Sequence, residues 1–151
     1  MNEENRKRYE ELKKRNTEKI KKIEYSHNIL LQECLVALNK NQYTLNDKEE
    51  KLVFEMFNVK VPTLEWGRVD WRNINSYNKI ENVFQLLDRI KNNEYYIIWG
   101  KGLPILKSNI DSIIDCIDDI TAVSFDTWLF ATNYSEIIEF YHEGEIVIGE
   151  I

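Results

Sequence analysis

Part-way along the chain the hydrophobic rhythm changes. Before Asn92, apolar side chains recur every three to four positions, the spacing of one helix face. Ile29, Leu30, Cys34, Ala37 and Leu38 form one such stripe, and Leu52, Val53, Met56 and Phe57 a second. Ile80, Val83, Phe84, Leu87 and Ile90 form a third. Beyond Asn92-Asn93 the residues become β-branched and aromatic, starting with Tyr95-Tyr96-Ile97-Ile98-Trp99, and such runs favour strands. Segregation of the two periods predicts an α+β fold, with N-terminal helices followed by a mostly antiparallel sheet. The chain has 151 residues, of which 43% are hydrophobic. That suffices for a single domain with its own core.

Local signals place the elements. A helix is expected over 3–24, where Glu3/Lys7, Glu4/Arg8, Glu10/Lys14, Glu11/Arg15 and Glu18/Lys22 are i,i+4 pairs with the acid first. Its apolar positions, Tyr9, Leu12, Ile20 and Ile23, make a thin stripe, so 1–25 reads as a charged extension and 26–151 as the folded domain. Ser26 is placed as the cap of a second helix, and Asn46 or Asp47 starts a third, with Glu49 and Glu50 in its first turn. Pro62 opens an irregular stretch anchored by Trp66 and Trp71. A helix is predicted over 76–92. Gly100-Lys101-Gly102 turns the chain, and 103–107 is extended around Pro104, as at a sheet edge or strand end. Ser108 or Asn109 caps one inserted helix running to Ile117, with Ile110, Ile113, Ile114 and Ile117 inward. A long strand is predicted over 120–131, with Val123, Phe125 and Thr127 on one face. Strands over 136–142 and 145–151 form a hairpin about Glu143-Gly144.

Charge is uneven along the chain. The net value is −6, yet residues 1–24 carry +3, and 108–151 contain ten acids and not one Lys or Arg. Such a field repels phosphate backbones and attracts cationic partners, which argues against direct nucleic-acid binding even though several aromatics are present. The N-terminus holds no apolar signal region and no apolar run reaches membrane-spanning length. Cys34 and Cys116 lie far apart without metal-type spacing, as expected of reduced thiols in the cytoplasm.

Catalytic and cofactor signatures are missing: there is no GxGxxG, Walker A, GxSxG or HExxH pattern, and no metal or cofactor is expected. His142, Asp126 and Glu139 are the only constellation that suggests acid–base chemistry. Adjacent Asp118-Asp119 diverge on a helix end and lack a ligand loop. Residue chemistry by itself leaves open an acidic adaptor for some basic partner and, behind it, a small enzyme using His142 and Asp126.

Several short motifs occur in a recognisable order. They are Trp66-Gly67-Arg68-Val69-Asp70-Trp71, then Tyr96-Ile97-Ile98-Trp99 with Leu103-Pro104-Ile105. Next come Asp118-Asp119-Ile120-Thr121-Ala122-Val123-Ser124-Phe125-Asp126-Thr127-Trp128-Leu129 and Ile138-Glu139-Phe140-Tyr141-His142-Glu143-Gly144-Glu145-Ile146, with Gly149 near the end. Together with an opening Leu31-to-Leu38 segment, they resemble the immunity proteins of bacterial contact-dependent growth inhibition (CDI) systems over about 29–151. The resemblance implies a non-enzymatic cytosolic protein that binds the toxic C-terminal domain of its cognate toxin. Many such domains are cationic nucleases. It further implies that Trp99, Asp126, Thr127, Trp128, Glu139, His142 and Gly144 hold the fold. Toxin contact is then expected from exposed acids, namely Asp111, Asp115, Asp118, Glu143 and Glu145.

Overall fold

A computed structural model describes residues 3–65, 67–100 and 102–151, without the side chains of 16–27. Trp66, Lys101, the Glu18/Lys22 pair and the side chains of Ile20, Ile23 and Ser26 therefore lie outside the described residues.

The helices come first: α1 spans Glu3–His27, α2 Ile29–Leu38 and α3 Asp47–Lys60, with a three-residue strand, β1 (Gln42–Thr44), between the last two. The cap of α2 is Asn28, whose side chain accepts from Leu31 N at 3.0 Å; Ser26 belongs to α1. A full capping box starts α3, with Asn46 accepting from Glu49 N and Glu49 accepting from Asn46 N. The later elements are β2 (Ser76–Ile80), β3 (Glu94–Ile98), β4 (Leu106–Asn109), α4 (Ile110–Asp115), α5 (Ile117–Thr121), β5 (Thr127–Ala131), β6 (Glu136–Phe140) and β7 (Ile146–Glu150).

All seven strands join one antiparallel sheet in the order β1-β4-β3-β5-β6-β7-β2. Both faces are covered, and alternate strand residues feed two cores. Tyr95, Ile97, Leu129, Ile138 and Phe140 pack under α2, α4 and α5. Ile98, Phe130, Ile137 and Val147 pack under α3 and the 61–74 segment. Every residue of β6 is buried, as its central place between two strands and two layers requires.

Two longer elements depart from expectation for identifiable reasons. Residues 76–92 are not a helix; they are β2, paired with β7, followed by a short 3-10 stretch Val83–Asp88 capped by Asn82. Their helical spacing is not used as one face: Ile80 and Leu86 are buried while Phe84 and Leu87 stay exposed. The long strand over 120–131 is only β5, because the chain leaves α4 through a break at Cys116 and winds one more turn as α5. Phe125 then lies outside the strand and points to solvent instead of sharing a face with Thr127. Of the two placements expected for the Pro104 run, the structure has the strand end and not the edge, since β1 pairs outside β4 and β3 inside. Pro104 precedes the strand, so its missing N–H removes no ladder bond.

Candidate functional site

The arrangement begins with a buried charge. Glu139 sits mid-strand in β6, is 0% exposed, and points into the α3-side core. A carboxylate there needs compensation from donors. It has four. Oε1 accepts from Arg68 Nε at 3.1 Å and Trp71 Nε1 at 3.1 Å. Oε2 accepts from Val69 N at 2.8 Å and Trp128 Nε1 at 3.0 Å. Three of these donors come from 68–71, so this single side chain fastens the irregular segment onto the sheet. Gly149 on β7 admits the same segment: a Cβ there would lie 2.7 Å from the Trp71 ring.

Arg68 extends this network outward. Its guanidinium stands 4.1 Å above the Tyr141 ring and pairs with Glu145, which also takes Lys79 Nζ at 2.8 Å. Tyr141 opens the β6–β7 turn. There Gly144, at φ +88°, donates its N–H to Tyr141 O at 2.9 Å, and Tyr141 N donates to Glu145 O at 2.9 Å. A positive φ at this turn favours glycine.

His142 and Asp126 are brought together across two loops. Asp126 Oδ1 accepts from His142 N at 3.0 Å and lies 3.1 Å from Nδ1. Glu139 does not join them, being sealed from solvent and committed to its four donors. The pair ties the loop after α5 to the β6–β7 turn. Between those two segments lies an open groove of about 390 Å³, lined by residues that include Ser124, Phe125, Phe140, Tyr141 and His142. Phe125 is 86% exposed, with its ring edge-on to His142 at 6.1 Å.

The remaining motif residues act inside the fold. Trp99 Nε1 donates to Ile120 O at 2.9 Å, fixing α5 on the sheet. Thr127 is buried, and its hydroxyl has no hydrogen-bond partner among the described residues. Asp111 and Asp115 lie one turn apart on α4, Asp118 follows on α5, and none of the three is buried. Glu143 is exposed at the turn, between the groove-lining residues His142 and Gly144. Glu145, in contrast, is already paired with Arg68 and Lys79.

Both cysteine thiols are held above their ordinary range. Burial pushes the Cys34 thiol up to about 12, with Asp119 adding to it. Cys116 also lies above its ordinary value for the same leading reason. Tyr95 is driven well above the phenol range, first by burial and then by its hydrogen bond to Glu136. Among the described residues no cluster of three or more His, Cys, Asp or Glu is arranged to hold a metal ion, and no helix is long and apolar enough to cross a membrane.

The sequence model of one protein family, described as CdiI immunity protein EcoliA0-like, matches residues 28–149. The chain belongs to the CdiI immunity protein family. The match begins at the cap of α2 and ends within β7, so it leaves out α1. No curated protein matches the chain. CdiI immunity proteins are non-enzymatic inhibitors of CDI toxins and act inside the cell. The His142–Asp126 pair is therefore a clamp between loops, not an acid–base couple. The cognate CDI toxin is the partner.

Sequence reasoning missed Arg68, Tyr141 and Phe125. A signal for the first existed: Glu139 stands between Ile138 and Phe140 in a strand apolar on both faces, so it demands donors from elsewhere. No local pattern says that those donors lie about seventy residues earlier.

Proposed function

We propose that the toxin neutralised by this chain is a cationic nuclease domain, bound one to one in the cytoplasm through carboxylates that take the place of nucleic-acid phosphates. In this reading Asp111, Asp115, Asp118 and Glu143 supply the contact charge. Glu145 serves at its edge, where Arg68 and Lys79 share its charge. Residues 1–25 stand outside the neutralising domain.

One observation carries this: ten acids and no Lys or Arg over 108–151, with Asp111, Asp115, Asp118 and Glu143 open to solvent and held in no ion pair among the described residues. Fixed charges of one sign raise the association rate of an oppositely charged partner, and salt removes that gain over a Debye length of about 8 Å.

The test is stopped-flow association and calorimetry with the toxin C-terminal domain encoded immediately upstream, alongside its nuclease assay. The expected result is 1:1 binding that abolishes nucleic-acid cleavage. The triple variant Asp111→Lys, Asp115→Lys, Asp118→Lys should associate about tenfold more slowly at low salt, with the difference closing as salt rises. A toxin domain that leaves DNA and RNA intact would overturn the nuclease reading, and an unchanged association rate would remove these acids from the interface.

A further inference from the structure

The groove between Phe125 and the β6–β7 turn has a character that the acidic field alone does not explain. Its lining includes Phe125, Phe140, Ile146 and Glu145, and Asp126 and Glu143 are the chain neighbours of its lining residues Phe125 and His142. None of its lining residues is a Lys or Arg. The cations nearest in the network, Arg68 and Lys79, are already spent on Glu139 and Glu145. Arg68 covers a face of Tyr141, and the ring of His142 packs against Tyr141 at 4.2 Å. That leaves Phe125 as the uncovered ring, 86% exposed although its backbone is pinned next door by the Asp126–His142 bonds. An exposed aromatic on a fixed loop, beside a cleft of side-chain size, is the form that binding anchors take.

We propose that this groove seats one Lys or Arg side chain of the toxin domain. Its methylene stem lies on Phe125, Phe140 and Ile146, and its cationic head faces the carboxylates of Asp126 and Glu143. The chemistry is an extension of one the molecule already holds, since Arg68 satisfies an aromatic face and a carboxylate together in the adjoining network. A long cationic side chain suits the site better than an apolar one, because its stem uses the rings while its head meets a rim with no free cation in the lining. The proposal rests on the toxin-binding reading and names one contact within it.

Two variants test it, and neither touches a buried group. Phe125→Ala removes the anchor; Ser124→Arg fills the groove with a cation of the chain's own. With the same upstream toxin domain as probe, each should raise Kd by about thirtyfold or more, chiefly through faster dissociation. Phe84→Ala, which removes another solvent-facing phenylalanine, 70% exposed, from the 83–88 segment, should leave Kd within about twofold. Unfolding midpoints equal to that of the parent chain would show that all three variants fold. Tight binding by the parent chain with both groove variants unchanged would overturn the groove proposal while leaving the toxin-binding reading intact. Absence of binding by the parent chain at low salt would overturn that reading itself.

Discussion

Replacing Glu139 by Gln keeps the shape of the side chain and removes half of what it does. Each carboxylate oxygen accepts two N–H donors. Glutamine has one acceptor oxygen and one NH2, so either orientation leaves two donors facing a third donor. A buried donor deprived of its acceptor costs about 1–3 kcal/mol. Loss of the negative charge beside Arg68 adds to this, discounted because Arg68 is about a quarter exposed and keeps Glu145. The sum is about 3–5 kcal/mol, the range found on breaking a buried pair from one side. For a domain stable by about 5–15 kcal/mol this is a large fraction, and for 151 residues it lowers Tm by roughly 10 °C. Equilibrium unfolding in urea, followed by far-UV circular dichroism and by tryptophan fluorescence, measures it directly. Arg68→Met should cost less than Glu139→Gln, and the double variant should cost less than the two separately, since both act on one contact. A Glu139→Gln change below about 1 kcal/mol would refute the view that this carboxylate fastens 68–71 to the sheet.

Gly149→Ala places a methyl where the Trp71 ring and Ile74 stand, so it should destabilise by about 1–3 kcal/mol and alter near-UV circular dichroism of the indoles; an unchanged spectrum and midpoint would remove the close-approach argument. Alkaline pH should weaken the fold. Cys34 and Tyr95 ionise at higher pH in the folded chain than in the unfolded one, so their contribution is whole below about pH 9 and is lost as pH rises toward 12. Urea midpoints at pH 7.5, 9.5 and 10.5 should fall in that order, with Tyr95→Phe shallower than the parent chain; a flat profile would contradict the burial of these groups.

The elements legible from the residues are those with their own local signals. Asn46 with Glu49 announces α3, Asn109 announces α4, and the Tyr95 run announces β3. The 136–151 hairpin is marked by Glu143-Gly144. Those that were not legible depend on partners distant in sequence. Ser76–Ile80 becomes a strand because Ile146–Glu150 offers it an edge, and its own spacing is compatible with a helix. Gln42–Thr44 is too short to show any period and exists as a strand only against β4. Around 120–126 the alternation of Val123, Phe125 and Thr127 imitates a strand, but Ile120 is drawn under Trp99 as the end of a helical turn. The candidate site divides the same way. The exposed acids, and the Asp126 and His142 that clamp its loops, could be picked out by residue type and order. Arg68, Tyr141 and Phe125 could not, since their roles arise from contacts between segments that local patterns do not connect.

The placement of pinned atoms bears on what an immunity protein must do, which is to match one toxin closely. Phe125 and Glu143 are each adjacent in sequence to a member of the Asp126–His142 clamp, while their own side chains are exposed and outside both cores. Substitution at either changes the surface shown to a partner without removing a hydrogen bond or opening a cavity, so its cost to stability stays within about 0.5 kcal/mol. The clamp also holds the two loops in one arrangement before binding, which lowers the ordering cost that association otherwise carries. Glu139 does the same for Arg68, and through it for Tyr141 and Glu145. A buried polar network with strict geometry thus supports a rim whose residues are free to differ, and on the toxin contact proposed above, specificity would be retuned at 125 and 143 while the scaffold beneath stays as it is.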